Sequence, residues 1–158
     1  MTDPETEIRI RPMVDADLDR VLEIAVSLPG APVWPRSAYE TALNPAAIPR
    51  RVALVAAAAP SDELTGFIVA SLLPPQAELE SIAVAASFQR RGLGSQLFNA
   101  LAAALRPLGA LELTLEVRSS NISAITFYKS LGFHFRGLRP RYYVDPIENA
   151  VMMALPLK

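Results

Sequence analysis

The feature that most constrains how this chain can fold is a glycine loop, Gln89-Arg90-Arg91-Gly92-Leu93-Gly94, set between an apolar stretch that ends near Ala85 and a leucine stripe that begins at Leu93. A strand that feeds a helix through such a loop gathers several backbone N–H groups at the helix N-terminus, which makes an anion site. Two glycines remove Cβ atoms where an anion must come close, the helix dipole favours negative charge, and Arg90 and Arg91 add mobile positive charge. The loop is not a dinucleotide fingerprint, since G-x-G-x-x-G is absent, and not a Walker A loop. Gly132 and Gly137 have the Walker spacing, but Leu138-Arg139 follows where Lys-Ser/Thr is required. Taken alone, the hexapeptide also fits a plain glycine turn with a solvated arginine pair.

The surrounding pattern supplies the strand and the helix. Ile8, Ile10 and Pro12 alternate with arginines, an edge strand closed by proline, and Asp15 is placed to cap a helix carrying Leu18, Val21, Leu22 and Ala25 up to a stop at Pro29-Gly30. Ser37 to Leu43 can hold a short helix in a proline-rich stretch. Val52 to Ala59 and Leu64 to Leu73, split by Pro60-Ser61-Asp62-Glu63, read as a hairpin, and Ala77 to Ala85 as a further strand. Leu93, Leu97, Leu101 and Leu105 form one buried helical stripe. Leu111 to Val117 alternates as a half-buried strand, Asn121 caps a helix through Leu131, and Gly132-Phe133 has the form of a glycine stop. Phe133 to Leu138 and Ala150 to Leu155 close as a last pair of strands. This order predicts an α+β chain with a mixed sheet, not a doubly wound nucleotide fold.

Composition narrows the chemistry. With no cysteine and one histidine, thiol nucleophiles, disulfides, Cys-ligated metals and multi-histidine metal sites are excluded, so no metal is expected and reactivity must rest on Glu, Tyr, Ser, Lys or the backbone. A net charge of −1 argues against a dedicated nucleic-acid binder. At 158 residues one domain spanning 1–158 is expected. The start of the chain reads as neither signal nor transit peptide, and no apolar run spans a bilayer, so a cytoplasmic location without membrane partners is expected.

The loop, together with Ser81-Ile82-Ala83-Val84 before it, resembles the GNAT acetyltransferase superfamily. A narrower resemblance, to its RimI-type bacterial enzymes that acetylate a ribosomal protein's N-terminal alanine, follows from about residue 77 onward. It is carried by Leu115-Glu116-Val117-Arg118, Asn121, Ala124, Tyr128, Leu131-Gly132-Phe133, Arg139, Tyr142-Tyr143, Glu148, Ala150 and Met153-Ala154-Leu155. The first half matches loosely, through Trp34 and Tyr39. Pro35 replaces the usual Ser or Thr, and Asn149 stands where Asp is usual.

The resemblance implies a GNAT fold of about seven strands and four helices, acetyl-CoA as cosubstrate, and a protein N-terminus as acceptor. It implies cofactor contacts from Ile82, Ala83, Val84, Gln89, Arg90, Arg91, Gly92, Leu93, Gly94, Ser95, Asn121 and Tyr128, with the Val84 N–H as oxyanion donor. Tyr128 is then the general acid for the leaving thiolate, and Glu116, twelve residues before it, the base that deprotonates the amine through water. Tyr142 and Tyr143, expected in the loop between the last two strands, would clamp the acceptor, with Trp34 a further contact. From the residues alone, Phe127-Tyr128 also reads as core aromatics, Asn121 as a plain cap, Glu116 as a solvated acid, Tyr142 and Tyr143 as aromatic packing, and His134 as structural. Glu78 and Glu80 share one side of the neighbouring strand, where either can assist Glu116 or merely be solvated. A GNAT enzyme for lysine or small amines, and a non-catalytic acyl-CoA-binding module, are the competing readings.

Overall fold

In the computed structural model, which describes residues 7–28 and 34–157, the alternating runs become strands and the runs of helical period become helices. Ile8–Pro12 is β1, Leu18–Ser27 α1, Arg36–Leu43 α2, Arg50–Ala58 β2, Glu63–Leu73 β3, Gln76–Val84 β4 and Leu93–Leu105 α3. Glu112–Arg118 is β5, Ile122–Ser130 α4, His134–Tyr143 β6 and Glu148–Pro156 β7. Among the described residues these seven strands form one sheet in the order β1-β2-β3-β4-β5-β7-β6, antiparallel throughout except for the parallel pair β4–β5. The α+β class with a mixed sheet and four α-helices is as expected from the sequence.

Strand alternation divides the core into two layers. On β3, Ile68 and Ala70 face the helix pair α3 and α4, while Phe67 and Val69 face α1 and α2. The stripe Leu97, Leu101 and Leu105 is fully buried in the first layer, where each leucine contributes roughly 1.5–3 kcal/mol. Val21, Ile24 and Tyr39 fill the second. A bulge at Glu80 sets Val69 opposite Ser81 and Ala70 opposite Leu79. Before it, Ala77 and Leu79 pack toward α3; after it, Ala83 packs toward α1, and Ile82 and Val84 turn to the α3–α4 side.

Three local expectations need correction or limits. Asp15 does not cap α1. Residues Asp15–Asp17 form a 3-10 turn whose Asp17 carboxylate accepts the Val14 N–H at 2.9 Å and the Arg11 guanidinium at 2.8 Å. The Arg11 hydrogen bond holds the Asp17 carboxyl below its ordinary pKa. The stop at Pro29-Gly30 lies outside the described residues. The sixth strand runs five residues past Leu138, so Tyr142 and Tyr143 end β6 instead of lying in a loop. Pro140 lies within the strand: β6 is an edge strand with a register shift between Arg139 and Tyr143, where proline is tolerated. The Gly132 stop is as expected, at φ 104° with the Phe133 N–H donating to the Tyr128 carbonyl at 3.1 Å.

Gly66 shows how closely β3 and β4 approach, since a Cβ there would lie 2.7 Å from the Ala83 carbonyl oxygen, a backbone atom that cannot rotate away. Gly66→Ala should therefore destabilise the fold by about 1–3 kcal/mol. Urea unfolding checks this, and an unchanged midpoint would contradict the close approach.

Candidate active site

The site begins where β4 and β5 separate. Their parallel ladder pairs only Gln76–Glu78 with Glu112–Thr114, whereas β5 stays paired with β7 along its whole length. Beyond these three pairs a wedge opens toward the C-terminal ends of both strands. The Ala85 N–H donates to the Thr65 carbonyl at 2.8 Å, so by alternation Ala83 turns its backbone toward β3 and Ile82 and Val84 turn theirs into the wedge. Gln89 Nε2 donates to the Val84 carbonyl at 3.0 Å, which leaves the Val84 N–H as the available donor on that residue.

On the helix side the wedge opens into a cleft of about 610 Å³, lined by Ile82, Val84, Gln89, Arg90, Gly92, Leu93, Gly94, Ser95, Asn121 and Tyr128. Two helix N-termini converge on it, because α3 and α4 each start beyond the end of one parallel strand. Gly92, at φ 77°, is the N-cap of α3, and its carbonyl accepts the Gln96 N–H at 3.1 Å. The N–H groups of Leu93, Gly94 and Ser95 therefore have no partner within the helix. A Cβ on Gly94 would lie 3.0 Å from the Phe127 ring and close the gap between the two helices. Asn121 lines the cleft and also caps α4, its side chain accepting the Ala124 N–H at 3.2 Å.

Phe88, Ser123, Ala124, Phe127 and Leu28 also line the cleft, although the sequence did not point to them as cofactor contacts. The signal for Phe127 was there: it precedes Tyr128 and lies where α4 faces the glycine loop. Two expected contacts are not among the lining residues. The Ala83 side chain packs into the α1–α2 layer, and the Arg91 guanidinium lies 5.5 Å from the Phe88 ring centroid. Tyr128 packs edge-on against Phe133, and its pKa is pushed up to about 12, first by burial and then by Tyr143.

The other face of the sheet carries a second group. Leu113, Leu115 and Val117 fill the α3–α4 core, so Thr114, Glu116 and Arg118 point to the opposite face, which α1 and α2 leave open over β5, β7 and β6. Glu116 is largely buried and lies 3.4 Å from Arg139 Nε. The pKa of Tyr142 is raised by hydrogen bonding to Glu116, then by burial. That of Tyr143 is pushed up to about 12, by burial, then by Glu116. Arg118 lies 4.5 Å over the Tyr143 ring and pairs with Glu148 at 3.2 Å, and Glu148 in turn accepts the Ser120 N–H at 2.6 Å. Tyr143 thus interacts with both Glu116 and Tyr128, the groups on the two faces of the wedge. Glu80 is bound to Arg51 at 2.9 Å. Trp34 is not part of this group; it packs against Tyr39, ring centroids 5.2 Å apart, beside the α1–α2 layer.

The family model described as the Acetyltransferase (GNAT) family matches residues 18–133. The [ribosomal protein bS18]-alanine N-acetyltransferase of Salmonella typhimurium is 42% identical over 98 residues, 61% of this chain. That match spans 66% of the Salmonella protein, just under two thirds of its length. A putative enzyme of the same description from Bacillus subtilis is 30% identical over 94% of this chain and 95% of its own. The crystal structure of the ribosomal-protein-S18-alanine N-acetyltransferase from Escherichia coli has a TM-score of 0.82 at 30% identity, covering 96% of this chain and 95% of that one.

The raised phenol pKa values give a direct check. An unperturbed tyrosine is mostly ionised at pH 10.5, given its pKa near ~10. In protein carrying ¹³C at the tyrosine ζ position, Tyr128 and Tyr143 should still show neutral phenol shifts at pH 10.5, with Tyr128→Phe and Tyr143→Phe assigning them. A midpoint near ~10 for either would contradict the burial described.

Proposed function

This chain belongs to the GNAT acetyltransferase family, and from that premise we propose that it transfers an acetyl group from acetyl-CoA to the α-amine of a protein N-terminus, the N-terminal alanine of a ribosomal protein. One observation carries the reading. Two helix N-termini and the Glu116 group approach the same wedge from opposite faces of the sheet, so an anionic acyl donor and an amine acceptor can meet without competing for one surface.

The cleft suits the donor. The partnerless N–H groups of Leu93, Gly94 and Ser95 and the neighbouring Arg90 fit a pyrophosphate, and the apolar Ile82 and Val84 side chains suit a pantetheine arm. Bound there, acetyl-CoA supplies an activated acyl carbon. The Val84 N–H would stabilise negative charge on the carbonyl oxygen. Glu116, paired with Arg139, would take a proton from the acceptor nitrogen, directly or through water.

Tyr128 would serve the sulfur. With its pKa pushed up to about 12, the phenol keeps its proton across the whole working range. A thiol of ordinary pKa near ~8.5 is the stronger acid, so complete transfer from this phenol is uphill by roughly 3–4 units, about 5 kcal/mol. Its best role is therefore a hydrogen bond to sulfur as negative charge develops there, with the proton shift completed when the nitrogen sheds its own. The α-amine reading also suits a single carboxylate, because an α-amino group has a pKa near ~8 against ~10.4 for lysine.

The deciding assay is release of coenzyme A against peptides that vary in the first residue, with lysine and a polyamine alongside. The alanine-first peptide should turn over fastest, and activity on lysine but not on any peptide would overturn the N-terminal reading. Tyr128→Phe should lower turnover by about 10² with little change in acetyl-CoA affinity. Gly94→Glu should weaken acetyl-CoA binding by about tenfold or more in calorimetry while the protein stays folded, since the new side chain fills the gap beside Phe127.

A further inference from the structure

Arg51 on β2, Arg118 on β5 and Arg139 on β6 pair with the carboxylates of the open face, and they differ in how many donors they have left. Arg51 puts two donors on one carboxylate, its Nε 2.9 Å and its Nη2 3.3 Å from the Glu80 oxygens. Arg118 uses both ends of its fork, Nη1 donating to Glu148 and the Pro146 carbonyl and Nη2 to the Val144 carbonyl. Arg139 meets its neighbours through Nε, 3.4 Å from a Glu116 oxygen and 3.4 Å from the Met152 sulfur. Among the described residues neither of its Nη groups makes a hydrogen bond. A guanidinium carries five N–H donors, so Arg139 has a pair of NH2 groups to offer.

This guanidinium is held in place although its donors are unused. Met152 stands opposite Glu116 across the β5–β7 ladder, and the Tyr142 ring centroid lies 5.7 Å from the guanidinium carbon, so a carboxylate, a thioether and an aromatic ring surround one planar group. Arg139 is also the last β6 residue in register with β7 before the shift that ends at Tyr143, which fixes its backbone. Its side chain is 52% exposed against 17% for Glu116. The arginine is therefore the outer member of the pair, and an incoming acceptor meets it first.

We propose that Arg139 selects α-amines: its Nη donors bind the carbonyl oxygen of the acceptor's first residue while Glu116 engages that residue's nitrogen. The inference rests on the acetyltransferase reading with Glu116 as the base, and it adds a contact which that reading does not contain. The two contacts fit a single residue. In an α-amine the carbonyl oxygen is three bonds from the nitrogen, at about 3 Å, a separation that suits a carboxylate and the guanidinium beside it. A lysine side chain presents only methylenes at that distance, since its carbonyl comes four carbons later. A polyamine brings a second ammonium, which the guanidinium repels. Only the α-amine of a peptide supplies both an N–H for the carboxylate and an acceptor oxygen for the charged donor.

The test compares an alanine-first peptide with an analogue in which CH2–O replaces the first C(=O)–NH. Acceptor binding is read as KM in coenzyme A release, or as a competitive inhibition constant where the analogue is not turned over. Arg139→Met keeps the length of the side chain and removes its donors. Any effect passed through Glu116 falls on both amines and cancels in the comparison. Arg139→Met should raise the peptide KM by about tenfold and the constant for the analogue by less than about twofold, the scale of one charge-assisted hydrogen bond. Arg139→Lys, which keeps the charge but not the fork, should show the same difference to a smaller degree, and it carries the comparison if the methionine variant does not bind acetyl-CoA in calorimetry. An equal change for both acceptors, a peptide KM within about twofold of wild type, or a loss confined to kcat each overturns the proposal and leaves Arg139 as a partner of Glu116 alone. Peptide turnover by the wild-type protein with equal changes in the variants thus removes the Arg139 assignment and spares the N-terminal reading. A wild-type protein that acetylates lysine or a polyamine but no peptide overturns both.

Discussion

The site depends on a ladder that stops early. Among the described residues β4 and β5 are the one parallel pair in the sheet, and only three residues of each are joined. Because the strands run parallel, the segments leaving them exit at the same end, and both continue into helices on the same face. The N-termini of α3 and α4 are thereby brought to one cleft. Had the ladder continued to Val84, the backbone groups of Ile82 and Val84 would be occupied by β5, and no opening would connect the two faces. Each strand is held on its other side throughout, β4 by β3 up to Val84 and β5 by β7 up to Arg118, so the opening does not cost either strand its outer ladder.

The two faces of the opening are built from different physics. The helix face works through fixed dipoles and backbone donors, with Arg90 of the glycine loop adding positive charge. The open face works through side-chain carboxylates, most of them held by arginines from β2, β5 and β6. Tyr128 and Tyr143 stand between these environments, and their phenols are pushed up to about 12 chiefly by burial. A neutral phenol at such a boundary can donate a hydrogen bond without placing another negative charge beside Glu116, a cost that an ionised group there would carry.

Much of this was legible in the sequence where a signal was local and periodic. The leucine stripe gave α3 its bounds, Asn121 gave the start of α4, and the glycine loop gave the cleft, because each of these follows from neighbours within a turn or two. Long-range partners were not legible. Glu78, Glu80 and Ile82 alternate without a break, so nothing marked the bulge at Glu80 that moves Ile82 and Val84 to the cleft side. The Arg51 that engages Glu80 lies 29 residues away on β2. Glu78 and Glu80 therefore looked equivalent in the sequence, and three-dimensional pairing alone separates them. Asp15 looked like a cap for the same reason: the Arg11 that claims Asp17 instead sits on β1.

The remaining structural requirement is that Tyr128 and Glu116 keep a fixed relation although they lie on different elements and opposite faces. The link is short. β5 ends at Arg118, and Ser119-Ser120 leads directly to the Asn121 cap of α4. Glu148, at the start of β7, accepts from Ser119 Oγ, the Ser120 N–H and the Arg118 guanidinium. These bonds, led by those from Ser120, hold its carboxyl below the ordinary pKa. One carboxylate thus ties the end of the Glu116 strand to the start of the Tyr128 helix, and Arg118 carries the tie on to the Tyr143 ring. Sign follows from the depressed pKa: the ionised carboxylate that makes these bonds is favoured by folding at neutral pH, and that preference is lost as pH falls through its folded pKa. Acid should therefore loosen the connection between the two faces of the wedge in parallel with the Asp17 turn, whose carboxyl is depressed in the same direction by Arg11.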